Sequence, residues 1–140
     1  MSRGSIENAR VKKEITESLF ALLEKKNFSE ITVTDIIRGA GVARASYYRN
    51  FESKESIIEE YMNSIREEIM RDVHYADDID IYNADNVLNG FERSLSYFLK
   101  NKSYILSIYN NGFGSLIQRI FNRYIEEFAG NMPQNSIEHY

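Results

Sequence analysis

Residues 31–55 decide the fold, and they read ITVTDIIRGAGVARASYYRNFESKE. Thr32 is a good helix N-cap, and Asp35 stands three residues later, where an acidic residue completes a capping box. Apolar residues then recur at helical spacing as far as Gly41, a residue that readily adopts the positive φ of a sharp turn. The sequence therefore predicts a short helix that ends at Gly41.

A second short helix is predicted over residues 44–50, only a few residues further on. Phe51 closes its apolar side, and Ser53 can cap a third helix that begins at Lys54. Two short helices joined through glycine at this spacing match the helix-turn-helix, whose second helix enters the major groove of DNA.

The second helix carries side chains suited to that role. Arg44, Ser46, Arg49 and Asn50 give it a high density of hydrogen-bond donors. Ala45 is small enough for close approach to a base edge, and Tyr48 and Lys54 flank the helix where they can reach phosphates.

The stretch resembles the TetR/AcrR family of bacterial transcriptional regulators. The family signature stands here as TVTDI at 32–36, AGV at 40–42, YRNF at 48–51 and SKE at 53–55. The resemblance implies an all-α fold. A three-helix helix-turn-helix head would occupy residues 1–53, and a helical ligand-binding and dimerisation body would occupy residues 54–140.

Matched to the family position by position, the second helix reads bases through its first turn. The resemblance assigns base reading to Arg44, Ala45 and Ser46. It assigns phosphate contacts to Thr34, Tyr48, Asn50 and Lys54.

Three neighbouring positions of the motif are also interpreted through the family. Tyr47 falls on a position that is usually buried, so we expect it in the core. Ala43 stands where a capping Ser or Thr is usual, which costs about 1 kcal/mol at that helix start. Ile37 replaces a commonly small residue at a helix crossing, so a wider crossing is expected.

Charge is divided unevenly along a chain whose net charge is −4. Residues 1–54 hold ten Lys and Arg against seven Asp and Glu, whereas residues 55–140 hold seven against fourteen. The positive charge thus lies in the head that would face phosphates, where it contributes salt-dependent affinity.

Helices are further predicted over residues 6–26, 53–75, 85–100, 103–110 and 114–129, with a loop at 74–83 and the start of another helix at 134–140. The family generally continues into two more helices that build a dimer interface. Since this chain has almost none of that length, we expect it to be incomplete.

The chain offers little for metal binding or catalysis. It has no cysteine and two histidines, His74 and His139. The acidic cluster Asp77, Asp78, Asp80 and Asp85 lacks the glycine and glutamate of a calcium loop, so solvated loop acids are favoured over a metal site. We expect no enzyme, no catalytic residue, no metal and no cofactor.

The second half of the chain is rich in aromatic residues. One interpretation is an apolar ligand pocket, formed by Phe91, Phe98, Tyr104, Tyr109, Phe121 and Tyr124. The other is ordinary helical core, since aromatics at this spacing are more often core.

The leading hypothesis is a ligand-responsive transcriptional regulator, expected to be a repressor, that binds a near-palindromic DNA operator as a homodimer. Its effector would be small and apolar or amphipathic. The alternative is an architectural or partner-controlled DNA-binding protein without an effector, and a cavity or a solid core in the body would discriminate the two. An enzyme or carrier on a helical scaffold is the third reading. No apolar run approaches membrane-spanning length, so a cytoplasmic protein with no membrane partner is expected.

Overall fold

The computed structural model describes residues 2–75 and 84–130, and these residues fold into helices without a strand. The helices are α1 Arg3–Leu23, α2 Val33–Ala40, α3 Arg44–Asn50, α4 Lys54–Tyr75, α5 Ala84–Lys100, α6 Lys102–Asn110 and α7 Gly114–Gly130, with a 3-10 turn at Phe28–Glu30. The all-α prediction is confirmed.

The predicted helix bounds agree closely except at α1. This helix begins three residues before the predicted start because the Ser2 hydroxyl accepts the Ser5 amide and caps it. It also ends three residues early, at Leu23. His74 and Tyr75 belong to α4 rather than to the predicted loop. The rest of that loop and the helix predicted at 134–140 lie outside the described residues.

The head is built around α1, which packs against α2 and α3. Ile15, Ile36 and Tyr47 are fully buried between these helices. Ile57 and Ile58, in the first turns of α4, are equally buried in the same apolar cluster. The boundary proposed at residue 53 thus falls just before side chains that share the core of the head.

The body is organised along α4, which packs against α5 and α7. Met62, Ile65 and Ile69 continue its buried stripe at helical spacing. None of the helices in the two described ranges is long and apolar enough to cross a membrane.

The apolar spacing of α5 does not lead to burial. Phe91, Leu95 and Leu99 are 59%, 45% and 67% exposed. Ser94 is instead buried, and its hydroxyl shares a hydrogen bond of 2.7 Å with the hydroxyl of Tyr124 on α7. The packed side of α5 therefore includes a polar contact, and much of its apolar side faces solvent.

Candidate DNA-binding surface and ligand cavity

The start of α2 and the turn that follows it are fixed by the residues predicted for these roles. The Asp35 amide donates to Thr32 Oγ1 at 3.1 Å, and the Thr32 amide donates to Asp35 Oδ2 at 3.0 Å. Gly41 ends α2 with φ 67° and ψ 32°, and its amide donates to the Ile37 carbonyl at 2.9 Å. The predicted capping box and positive-φ turn are confirmed.

Asp35 is held in its ionised form. The backbone amide of Thr32, the Lys26 ammonium at 3.2 Å and the side chain of Thr32 together lower the pKa of Asp35 to about 2. The ionised carboxylate also lies in the first turn of α2, where the helix dipole favours negative charge. The Asp35 side chain thus joins the start of α2 to Lys26, three residues beyond the end of α1.

A close crossing of α1 and α2 positions the motif, and sequence reasoning did not find it. The Ser18 hydroxyl is buried and donates to the Ile36 carbonyl at 2.8 Å. A Cβ added at Gly39 would lie only 2.4 Å from Ser18 Oγ. The close approach of α1 to α2 is therefore at Gly39, and the wider crossing expected from Ile37 stays a prediction. A glycine facing a serine 21 positions away leaves no local pattern.

Helix α3 is held by one side and open on the other. Tyr47 is fully buried, as predicted, while its neighbour Tyr48 is 52% exposed. Arg44 and Ala45 are exposed, and Ser46 is half-buried. The first turn of α3 therefore faces outward, which is the arrangement that base reading requires.

In the described part of the chain, two polar groups of α3 lack a partner that a different residue could have given them, one at the start of the helix and one at its buried side. Ala43 precedes the helix and provides no side-chain cap, as expected from its sequence. The Tyr47 hydroxyl is buried with no hydrogen-bond partner among the described residues, and burial raises the pKa of Tyr47 to about 12.

The structure brings together a predicted base-reading residue and a predicted phosphate contact. Arg44 Nη2 donates to Thr34 Oγ1 at 2.8 Å, across the exposed surface of the two helices. Nearby, Asn50 Nδ2 donates to the Ser46 carbonyl at 2.8 Å. The first contact joins α3 to the start of α2, and the second lies within α3.

Lys54 has partners inside the protein. Its ammonium donates to the carbonyls of Phe28 at 2.7 Å and Ile31 at 2.9 Å, and lies 4.3 Å from the centre of the Phe28 ring. The structure thus gives Lys54 the role of anchoring the segment before α2. A phosphate contact would compete with both carbonyl bonds, and it stays a prediction.

The same segment is tied to the body. The Phe28 amide donates to Asn111 Oδ1 at 2.9 Å, and the Phe28 ring meets Phe113 edge-on at 4.9 Å. Asn111 and Phe113 belong to the connection between α6 and α7. The segment leading into the helix-turn-helix therefore contacts the body directly, in addition to the covalent link through α4.

A cavity of about 300 Å³ lies between α4, α5 and α7. Three of the six aromatic residues predicted for a ligand pocket line it: Phe98, Phe121 and Tyr124. The remaining lining side chains are aliphatic apart from Arg66. Its size is at the lower end of the range for small-molecule sites.

The other three predicted pocket residues lie elsewhere. Tyr104 stacks on Phe20 of α1, with ring centres 3.9 Å apart and planes 4° from parallel. Phe91 and Tyr109 are 59% and 62% exposed. None of these three residues lines the cavity. The helical spacing in the sequence did not reveal which side of α5 and of α6 would face it.

Arg66 is the one charged residue among the described side chains that line the cavity. Its Nη1 donates to both carboxylate oxygens of Glu127, at 2.7 and 2.8 Å, and its side chain is 13% exposed. The Arg66 Nε is buried and has no hydrogen-bond partner among the described residues.

Within the part of the chain that the structure describes, no cluster of three or more His, Asp and Glu side chains could hold a metal ion. Asp85 lies in the first turn of α5, and the other three acids of the predicted loop cluster lie outside the described residues.

The arrangement of α2 and α3, with the first turn of α3 facing outward, defines a helix-turn-helix protein. Residues 15–61 match the sequence model of the bacterial regulatory proteins of the tetR family. Residues 15–61 therefore carry a DNA-binding domain of the tetR family, and the resemblance noted from the sequence is confirmed for this domain.

Two curated relatives carry the same kind of domain. The HTH-type transcriptional regulator EthR of Mycolicibacterium smegmatis is 49% identical over 37 residues, which are 26% of this chain and 17% of EthR. The HTH-type transcriptional regulator AlkX of Mycobacterium tuberculosis is 26% identical over 84 residues, which are 59% of this chain and 40% of AlkX. The chain thus spans less than half the length of either relative. No solved structure gives a significant match to the chain.

Proposed function

We propose that the protein is a DNA-binding transcription regulator that binds a near-palindromic operator as a homodimer and releases it when a small effector occupies the body. The observation that carries the proposal is the orientation of α3. Tyr47 holds one side of this helix in the core, while Arg44, Ala45 and Tyr48 face outward.

Each outward residue has a distinct proposed task. Arg44 would leave Thr34 and donate two hydrogen bonds to guanine, with Ala45 and Ser46 beside it at the base edges. Tyr48, Asn50, Thr34 and Lys54 would contact phosphates. In a dimer, two copies of α3 would enter successive major grooves about 34–36 Å apart.

The cavity of about 300 Å³ between α4, α5 and α7 supports an effector-controlled regulator over a DNA-binding protein without an effector. A ligand there would shift the population toward an arrangement of the heads that fits the operator poorly, and we propose that the bound protein acts as a repressor. Bacterial DNA is cytoplasmic, so the protein would act there.

The experiment is selection from a library of random DNA duplexes with the full chain, followed by mobility shift on the enriched sequence. We expect enrichment of a near-palindrome with half-sites about one helical turn apart. Arg44→Ala should weaken binding about 5- to 150-fold, the equivalent of about 1–3 kcal/mol for a bidentate base contact.

Arg119→Ala is the matched control, because it removes the same charge from an exposed position on α7. It should leave operator affinity unchanged. No enriched sequence, or equal effects of the two substitutions, would contradict the proposal.

A further inference from the structure

Arg49 is the second arginine of α3, and it stands in the last turn of that helix with its side chain exposed. Among the described residues, no hydrogen bond or ion pair holds its guanidinium. Arg44 and Lys54 differ in this respect, because Arg44 is bonded to a side chain of α2 and Lys54 to two backbone carbonyls. Arg49 can therefore meet a new acceptor without giving up one inside the protein.

The direction of Arg49 follows from the burial of Tyr47. Successive residues of an α-helix are rotated by about 100° around the axis, since 3.6 of them make one turn. Tyr47 is fully buried and marks the side of α3 that faces the core. Counted from Tyr47, Ala45 and Arg49 both lie about 160° away, one on each side of the direction straight out of the protein. These two exposed residues therefore form the outermost line of α3.

The neighbours of Arg49 lie at the sides of the helix. Tyr48 is about 100° from Tyr47, and Asn50 is about 60° from it in the other direction. Tyr48 is 52% exposed, whereas Asn50 is half-buried and its Nδ2 is bonded to the Ser46 carbonyl. A helix lying in the major groove turns its outermost line toward the base pairs and its sides toward the two sugar-phosphate backbones. Position 49 is thus placed to face bases, and position 48 to face phosphates.

Side-chain length along the outermost line agrees with this direction. Ala45 ends at its Cβ, so the first turn of α3 can approach the base edges closely. Arg49 follows one turn later, about 6 Å further along the axis, and its side chain is far longer. The N-terminal residues of a recognition helix approach the bases most closely, so the C-terminal end stands further out. A side chain as long as that of Arg49 spans the added distance.

The guanidinium of Arg49 favours one base over the others. In the major groove, guanine presents two acceptors, O6 and N7, and arginine can donate to both at once. Adenine presents one acceptor beside an amino donor, which a group that only donates cannot use. The Cα atoms of Arg44 and Arg49 are five residues apart, about 7.5 Å along the helix axis, or roughly two base-pair steps. The two arginines therefore reach different base pairs.

We propose that Arg49 is a second base-reading residue, which donates two hydrogen bonds to a guanine other than the guanine read by Arg44. Each half-site of the operator would then contain two G·C pairs that the protein reads, about two base pairs apart. This inference rests on the proposed function, because it assigns a further specificity-determining residue to the same DNA-binding surface.

The test uses the full chain and the operator that the wild type enriches. Arg49→Ala and the wild type are compared by mobility shift on duplexes that each carry one symmetric pair of substituted base pairs. We expect Arg49→Ala to bind the operator about 5- to 150-fold more weakly and to become indifferent at one pair of G·C positions. This pair should differ from the pair at which Arg44→Ala is indifferent. Arg119→Ala, which removes the same charge from an exposed position on α7, should keep the wild-type affinity for every duplex.

Arg49→Gln gives a result that neither a loss of charge nor a loss of folding can imitate. Glutamine forms its paired hydrogen bonds with N6 and N7 of adenine. We expect this variant to prefer A·T over G·C at the positions where Arg49→Ala is indifferent, and to keep the wild-type preference at the others. Circular dichroism checks that both variants fold.

Three results would overturn the inference. The first is an unchanged or uniformly reduced affinity of Arg49→Ala with every wild-type preference retained, as a solvated charge or a phosphate contact would give. The second is indifference at the same positions as Arg44→Ala, and the third is a retained preference for G·C in Arg49→Gln. The proposed function survives each of them, because the wild type still selects an operator. A wild type that enriches no duplex refutes the proposed function and this inference together, so the two failures are distinguishable.

Discussion

Tyr47 and Tyr48 are neighbours in the sequence and have opposite surroundings. Tyr47 is fully buried with an unpartnered hydroxyl among the described residues, and Tyr48 is 52% exposed at the edge of α3. The same change, loss of one hydroxyl, should therefore have different consequences at the two positions.

We predict that Tyr47→Phe leaves the free energy of unfolding unchanged or raises it by up to about 1 kcal/mol, because no hydrogen bond is lost and a buried polar group disappears. Tyr48→Phe should leave stability unchanged and weaken operator binding about fivefold, the equivalent of about 1 kcal/mol for one hydrogen bond. Urea unfolding and mobility shift measure the two effects. A destabilised Tyr47→Phe variant, or a Tyr48→Phe variant with full affinity, would show that the hydroxyl roles are assigned wrongly.

A pH dependence follows from Asp35. Its pKa is lowered to about 2 in the folded chain, whereas the ordinary value is 3.8. A lowered pKa means that the unfolded chain binds the proton more readily, so the stabilisation is present above about pH 4 and is lost as the pH falls toward 2.

Asp35→Asn keeps an oxygen acceptor for the Thr32 amide and removes the titrating group. We predict that the wild type loses more stability than this variant between pH 4 and pH 2, as measured by thermal unfolding at stepped pH. If the unfolding temperatures of the wild type and Asp35→Asn fell in parallel between pH 4 and pH 2, the ionised Asp35 carboxylate would not be stabilising the fold.

At the level of helices, the crossing of α1 and α2 depends on the absence of a side chain at Gly39. A Cβ there would meet Ser18 Oγ at 2.4 Å, and that hydroxyl is already bonded to the Ile36 carbonyl. The two helices must separate, or the hydroxyl must leave its carbonyl, to admit one carbon atom.

We predict that Gly39→Ala destabilises the protein by about 1–3 kcal/mol, the range for overpacking. Gly90→Ala is the matched control, because Gly90 lies within α5 and nothing stands within 4 Å of its added Cβ. It should stabilise by up to about 1 kcal/mol through helix propensity. Similar unfolding midpoints for the two variants in urea would contradict the close crossing.

Across the whole molecule, local chemistry made the helix-turn-helix predictable. Thr32 and Asp35 fix the start of α2, Gly41 fixes its end, and Arg44–Asn50 was predicted with both bounds correct. Caps and positive-φ turns depend on residues a few positions apart, so the sequence displays them directly.

Features that depend on distant residues could not be predicted in this way. Arg66 and Glu127 are 61 positions apart, and Phe28 and Asn111 are 83 apart. Likewise, Phe91 was predicted to line a pocket, and the spacing within α5 could not show that its side chain would meet solvent. Burial depends on what another helix places opposite, and no periodicity within one helix contains that information.

The tie between Phe28 and Asn111 gives a test of how the head and body are joined. Asn111→Ala removes the acceptor of the Phe28 amide, whereas Asn111→Asp keeps an oxygen there. We predict that hydrogen exchange of the Phe28 amide, followed by nuclear magnetic resonance, becomes several-fold faster in the alanine variant, in line with about 1 kcal/mol for one hydrogen bond. The aspartate variant should exchange more slowly than the alanine variant. Equal exchange in the wild type and Asn111→Ala would mean that the amide is protected by something else.

The most direct measurement is the affinity of wild type and Arg44→Ala for a panel of operator duplexes, each with one base pair substituted. Arg44 reading guanine predicts that the wild type loses affinity sharply at one symmetric pair of G·C positions, and that Arg44→Ala becomes indifferent to the same positions while still discriminating at the others. A uniform loss of affinity by Arg44→Ala across the whole panel, with the wild-type sequence preference retained, would contradict the claim that the exposed first turn of α3 reads bases.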